Sequence, residues 1–121
     1  MKNRCSQVVL QNFFEPCILF FLLQKPGYGY EIQKKMKEGC YCDVNTGNLY
    51  RCLARLQKQK YVTKKAEKSD IGPKKFAYTI TKEGEMYLRS WIDALVEQNK
   101  AITQLITNFK SHYEHNSTKN R

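Results

Sequence analysis

Apolar positions along the chain follow two rhythms, one near 3.6 residues and one of 2, and the change between them divides the sequence. From Val44 to Leu56, Leu49, Leu53 and Leu56 recur at steps of 4 and 3 behind Asn45 or Thr46 as a cap, which predicts a helix with one buried side. Asn48, Arg51, Arg55 and Lys58 share another side at steps of 3, 4 and 3. Upstream, Val8, Val9, Leu10, Phe13 and Phe14 lead into Pro16, a residue suited to a helix's first turn because its missing N–H is not needed there. The helix expected from there through Leu23 is apolar on every side, so a small domain covers it fully only if a second surface, such as a partner subunit, takes one face. Lys25-Pro26-Gly27 ends it, since proline and glycine together interrupt helical bonding. A second helix opens at Tyr28-Gly29-Tyr30-Glu31-Ile32 and reaches about Lys37, with Ile32 and Met36 on its inner face, and Glu38-Gly39-Cys40-Tyr41-Cys42 is a loop closed by Gly39. The order helix, helix, short loop, helix is that of a helix-turn-helix core with an extra leading helix.

After Leu56 the period falls to 2. Tyr61-Val62-Thr63-Lys64-Lys65 and Lys75-Phe76-Ala77-Tyr78-Thr79-Ile80 read as strands, with Phe76, Tyr78 and Ile80 alternating toward one face and a turn over Lys68 to Pro73 between them. A hairpin carrying Lys64, Lys65, Lys68, Lys74 and Lys75 directly behind such a helix is the wing of a winged helix. Thr81 then caps a last helix expected from Lys82 to about Tyr113, with Glu83 and Glu85 at its positive end. Leu88, Ile92, Leu95, Asn99, Ile102, Ile106, Phe109 and Tyr113 step along it by 4, 3, 4, 3, 4, 3 and 4, a heptad seam whose one polar member, Asn99, is of the kind that fixes register and oligomeric state. A monomer has no use for such a seam, so a homodimer is expected; the alternative is that the helix packs back on its own domain. The fold class expected is mainly α with a small β-hairpin wing (α+β). Its parts are a DNA-binding domain with its N-terminal helix over 1–81, a dimerisation helix over 82–113 and a polar tail over 114–121.

Charge gives the helix at 44–56 its meaning. The chain carries 21 Lys and Arg against 11 Asp and Glu, a net charge of +10, so a polyanion or an anionic membrane surface is the natural partner class. The excess is concentrated: Asp43 to Thr81 holds nine basic and three acidic residues. An amide and three cations on one helix side can hydrogen-bond base edges and phosphates from inside a major groove, and the wing lysines would lie along the flanking phosphates. An ordinary amphipathic helix with a solvated basic side is the plainer alternative for that stretch taken alone. Five cysteines, an odd number with no C-x-x-C pair and no signal peptide read ahead of them, argue against a disulfide framework and for a reducing cytoplasm. The longest apolar run, Cys17 to Leu23, has seven residues, far short of the ~20 needed to cross a bilayer. No Ser/His/Asp order, glycine-rich phosphate loop, H-E-x-x-H or paired carboxylates point to an enzyme, and no cofactor is expected.

Several blocks together resemble a known family. Phe14-Glu15-Pro16-Cys17-Ile18-Leu19, Gly29-Tyr30-Glu31-Ile32, Gly47-Asn48-Leu49-Tyr50-Arg51, Leu53 with Arg55-Leu56, Gly72-Pro73-Lys74-Lys75 through Tyr78, and Thr81-Lys82-Glu83-Gly84 are similar, in this order, to the PadR family of bacterial transcriptional regulators. The resemblance covers Phe14 to about Leu95. It implies a winged helix-turn-helix dimer whose C-terminal helices make the interface, usually a repressor, with a small aromatic or drug-like ligand near that interface loosening DNA binding. Two positions depart from the family pattern. Asn48 stands where threonine is common, so base preference does not carry over. Lys60 stands where glycine is usual between the helix and the first strand, and a left-handed turn there would cost a non-glycine residue about 1 kcal/mol or more.

The candidate DNA-binding residues are therefore Tyr30, Asn45, Thr46, Asn48, Tyr50, Arg51, Arg55, Lys58, Lys64, Lys65, Lys74 and Lys75. Tyr30 and Tyr50 match family positions, and each phenol either donates to a phosphate at the groove rim or packs between helices with its hydroxyl wet. Trp91 with Phe13, Phe14 and Phe20 would make an apolar pocket for an aromatic effector; plain interface packing is the alternative for Trp91. Cys40 and Cys42, with His112 and His115, would suit zinc by residue type. C-x-C is unusual for a structural site, so reduced thiols and no metal are expected, while oxidation of the two loop thiols is a further alternative. Cys17 and Cys52 read as small core residues. The partner expected is a pseudo-palindromic DNA duplex. A basic dimeric adaptor that binds a protein or an acidic membrane surface is the competing class.

Overall fold

The computed structural model describes residues 13–39, 45–67, 72 and 75–119. Its elements are α1 (Phe14–Gln24), β1 (Gly27–Tyr28), α2 (Gly29–Gly39), α3 (Thr46–Lys58), β2 (Val62–Glu67), β3 (Lys75–Ile80) and α4 (Lys82–Lys119). The fold is a winged helix, mainly helical with a small antiparallel sheet. The expected leading segment Val8 to Leu10 and the loop at Cys40 and Cys42 lie outside the described residues. The chain divides into two compact units, residues 1–89 and 90–121.

Local chemistry sets each boundary in the first unit. In α1, Pro16 sits in the first turn, and the helix stops where Lys25 turns extended at φ −168°, the backbone state forced on a residue that precedes proline. Its buried side is Glu15, Pro16, Cys17, Ile18, Leu19 and Leu22, whereas Phe20 and Leu23 stay exposed. Among the described residues only one side of this all-apolar helix is thus covered.

In α2, Ile32 and Met36 are buried as their spacing requires, and α3 buries Leu49, Cys52, Leu53 and Leu56 against them. Asn45 caps α3: its extended backbone leads in and its Oδ1 accepts from the Asn48 N–H at 2.8 Å. At the other end the Tyr61 N–H donates to the Leu56 carbonyl at 2.9 Å and the Lys60 N–H to the Gln57 carbonyl at 3.0 Å. Those two bonds form a Schellman cap. Lys60 occupies the left-handed position of that cap, at φ 67°, the seat for which glycine is suited.

The sheet has strand order β1-β3-β2. β2 and β3 pair antiparallel from Val62 opposite Ile80 to Glu67 opposite Lys75, and Gly72 turns between them at φ 98°. Val62 and Tyr78 carry the inner face into the core, Ile80 packs on it half-buried, and Phe76 is exposed. The two-residue β1 was not expected from the sequence; it pairs Gly27 with Tyr78 and Tyr28 with Ala77.

Thr81 caps α4 as expected, its Oγ1 accepting from the Gly84 N–H at 2.9 Å. The same hydroxyl donates to the Lys60 carbonyl at 2.8 Å, while the Thr81 N–H donates to the Tyr61 carbonyl at 3.0 Å. The start of α4 is thereby fastened to the turn that ends α3. The helix is longer than expected, running through the expected tail to Lys119. Leu88 corrects the seam: it is 4% exposed and belongs to the core of the first unit, because the first turns of α4 pack on the domain that precedes them. In the second unit Ile92, Ile102, Ile106, Phe109 and Tyr113 are exposed, as is Asn99, and Leu95 and Trp91 are half-exposed.

Candidate nucleic-acid interface

With Leu49, Cys52, Leu53 and Leu56 turned inward, the 3.6-residue period leaves Gly47, Tyr50, Arg51, Ala54 and Lys58 on the outward arc of α3, all exposed. Asn48 and Arg55 stand at its edge. Asn48 Oδ1 accepts from Arg51 Nη2 at 2.5 Å, so these two present themselves as a unit. Thr46 and Gln33 hydrogen-bond at 3.1 Å and tie the start of α3 to α2. Ala54 was missed by sequence reasoning, which followed polar residues only. Its spacing of 3 and 4 from Arg51, Tyr50 and Lys58 was the available signal. A small apolar side chain there lets the helix approach a groove floor closely and can meet a thymine methyl.

Arg55 is half exposed and is also held from the interior. Its Nε donates to Glu15 Oε1 at 3.0 Å, its Nη2 stands 2.8 Å from the same oxygen and 3.7 Å from Cys52 Sγ, and its side chain is half exposed. Burial is the largest influence and opposes the charge, but the hydrogen bond to Glu15 together with the fields of Cys52, Glu15 and Tyr87 outweighs it and holds the guanidinium above its ordinary pKa. The reason is tertiary: Glu15, forty residues away, is buried among apolar neighbours and needs a cation. Cys52, which touches this pair, is pushed up to about 11, by burial first, with Arg55 pulling the other way.

At the edges of the arc the aromatic and basic candidates gather. Tyr30 is 57% exposed and Tyr50 44%. Tyr50 lies so close over Gly29 that a Cβ there would fall 2.8 Å from its ring, which gives the Gly29-Tyr30 pair a steric reason. Tyr28 stacks on Tyr30 with centroids 5.6 Å apart, and its hydroxyl donates to Glu67. That hydrogen bond is the main cause holding the Tyr28 phenol above its ordinary pKa. On the wing Lys64 sits 4.2 Å over the Phe76 ring and Lys75 5.6 Å over Tyr28, so apolar rings carry the stems of two cations. Lys64, Lys65 and Lys75 are exposed; Lys74 lies outside the described residues.

Residues 18–90 match the family model described as the transcriptional regulator PadR-like family. The chain belongs to that family. A PadR-like transcriptional regulator from Bacillus cereus is 30% identical, with a TM-score of 0.70 over 80% of this chain and 94% of that one. A PadR family transcription regulator from Clostridium difficile is 23% identical, with a TM-score of 0.71 over 78% and 99%. PadR of Bacillus subtilis, solved in complex with operator DNA, is 24% identical, with a TM-score of 0.62 over 67% and 47%. No curated protein matches the sequence significantly. PadR-like proteins are transcriptional regulators, not enzymes, and the winged helix described above is the PadR-like fold.

Phe13 and Phe14 are half-buried against the core, Phe20 is exposed, and Trp91 belongs to the second unit. A shallow recess between α1 and α2, lined by Phe21, Leu22, Pro26, Ile32 and Lys35 among others, uses none of those four. Cys17 and Cys52 are buried free thiols. His112 and His115 are exposed, and no group of three metal-ligating side chains occurs among the described residues. No described helix is long and apolar enough to cross a membrane.

Proposed function

We propose that this chain is a sequence-specific DNA-binding repressor that acts in the cytoplasm as a homodimer and releases its operator when a small aromatic ligand binds. The observation that carries the reading is the exposed arc of α3, where Tyr50, Arg51 and Lys58 flank Ala54, with Lys64, Lys65 and Lys75 on the wing beside it. Arg51, held by Asn48, reads base edges, while Asn45 and Thr46 bring the positive helix start to a phosphate. Tyr30, Tyr50, Lys58 and the wing lysines, Lys74 among them, contact phosphates. The apolar stripe Ile92, Leu95, Ile102, Ile106 and Phe109, interrupted by Asn99, supports pairing with a second copy. Paired copies would set two reading helices in successive major grooves, about 34 Å apart on a pseudo-palindromic duplex.

The test is a pair of substitutions measured against duplexes selected from a random library. Arg51→Ala should cost about 1–3 kcal/mol on the selected duplex and relax preference at one base pair. Lys65→Ala should weaken every duplex alike and flatten the salt slope by about one unit. A chain whose duplex affinities are all equal, and unmoved by Arg51→Ala, would be a basic adaptor instead.

A further inference from the structure

Among the described residues Glu15 is the one buried charged side chain, and its two oxygens serve different helices. Oε1 takes the Nε and Nη2 donors of Arg55 on α3 at 3.0 and 2.8 Å. Oε2 accepts from the Tyr87 hydroxyl on α4 at 2.6 Å. Tyr87 in turn stacks on Tyr61, centroids 4.2 Å apart and planes within 9°, at the turn where α3 ends and the wing begins. A guanidinium has five N–H donors in one plane. Glu15 and Cys52 engage those on Nε and Nη2, and Nη1 has no hydrogen bond among the described residues, on a side chain that is 50% exposed. The fork is therefore fixed in its plane from behind, on a side chain that stays half exposed at the edge of the reading arc. An arginine held this way meets a phosphate oxygen with little loss of side-chain freedom.

We propose that Glu15, with Tyr87, is the positioning residue that holds Arg55 as a phosphate-binding fork at the border of the reading helix. Resting on the DNA-reading function proposed above, the inference makes Arg55 a contact set from the interior by α1 and α4. Loss of either partner lets the guanidinium wander and removes one oriented phosphate contact. The fold itself need not change, since Tyr87→Phe deletes a single oxygen and keeps the ring on Tyr61.

The experiment is a double-mutant cycle on the full chain, read as affinity for the duplex that the wild type selects from a random library, at several salt concentrations. Arg55→Ala should weaken binding about tenfold and lower the slope of log affinity against log salt by about one, the signature of a lost phosphate contact. Glu15→Gln should reproduce most of that loss and the slope change, and Tyr87→Phe part of both. In the Arg55→Ala background neither should add anything, because partners acting through one group are not additive. A structural loosening would not move the salt slope. If Glu15→Gln does not fold, as judged by its melting curve, Tyr87→Phe completes the same cycle. Unchanged slopes in both variants, or losses that multiply with Arg55→Ala, overturn the role of Glu15 while the DNA-reading function stands. A wild type that selects no sequence overturns that function and this inference with it.

Discussion

Gly84 offers the sharpest test of how α4 is fastened to the rest of the fold. It lies in the first turn of a helix, where replacing glycine by alanine is ordinarily worth about 1 kcal/mol of stability. Here the sign should reverse. A Cβ on Gly84 would lie 2.9 Å from the carbonyl carbon of Tyr61, closer still to its oxygen, and 2.9 Å from Ile80 Cγ1, against an ordinary carbon contact of about 3.5–4.0 Å. The Tyr61 oxygen cannot retreat freely, because it accepts from the Thr81 N–H at 3.0 Å and lies 3.1 Å from the Thr81 hydroxyl. Relief by about 1 Å gives up these two contacts, at about 1 kcal/mol each, and overpacking adds about 1–3 kcal/mol. Less the gain in helix propensity, Gly84→Ala should destabilise by about 2–4 kcal/mol. With a urea slope of about 2 kcal/mol/M, the middle of the range for a chain of this size, the midpoint should fall by about 1–2 M at fixed protein concentration. Gly47→Ala is the control: its Cβ would meet nothing closer than 3.5 Å, so it should keep the ordinary gain of up to about 1 kcal/mol and its midpoint should not fall. A Gly84→Ala protein as stable as the wild type would refute the close approach and the fastening argued from it.

Lys60→Gly should stabilise by up to about 1 kcal/mol, since relief of the left-handed backbone (about 1–2 kcal/mol) exceeds the added freedom of the unfolded chain (about 0.4–1 kcal/mol). Lys60→Ala should give no such gain, and equal calorimetric melting of the two variants would contradict the strain at φ 67°. Burial pushes the Cys52 thiol up to about 11, so the folded state keeps a proton there that the unfolded state releases from about pH 8.5. This contribution is fully present at neutral pH and is lost as pH climbs from there toward 11. Peptide mapping after iodoacetamide should accordingly find Cys52 unlabelled in native protein at pH 8, and prompt labelling would show the thiol to be open. Introducing Ile102→Glu together with Phe109→Glu sets like charges across the proposed seam. Sedimentation should then give monomers that keep half-site affinity but lose the two-half-site duplex, whereas an unchanged dimer would place the subunit contact elsewhere.

The fold was legible wherever a single stretch carries its own signal. The Asn45 and Thr81 caps, the stripe Leu49-Leu53-Leu56 and the alternation of Tyr78 and Ile80 each act within a few residues, and each stands where expected. Features that depend on distant partners were not legible. β1 is two residues long and exists because Tyr78 and Ala77 offer it an edge, and nothing in Gly27-Tyr28 alone says strand. Glu15 looks like a polar lapse in an apolar helix until Arg55 and Tyr87 arrive beside it. Leu88 obeys the heptad, yet the domain core claims it first. Within the candidate interface, polar and basic residues could be named from charge and spacing, while Ala54 could not, because an exposed alanine matters only for what it leaves room for.

The third strand changes what kind of object the wing is. A hairpin rooted along one margin can swing like a hinged flap, but β3 is gripped along both margins, by β2 and by the short strand that leads into α2. α2 begins directly after Gly27–Tyr28, so Tyr30, Lys64, Lys65 and Lys75 stand on one frame. Under the proposed function, the gap between the phosphates that Tyr30 and these three lysines would touch is thus settled when the protein folds. Such a caliper would accept a duplex whose groove already has the right breadth and turn away one that must first be bent or pinched to fit.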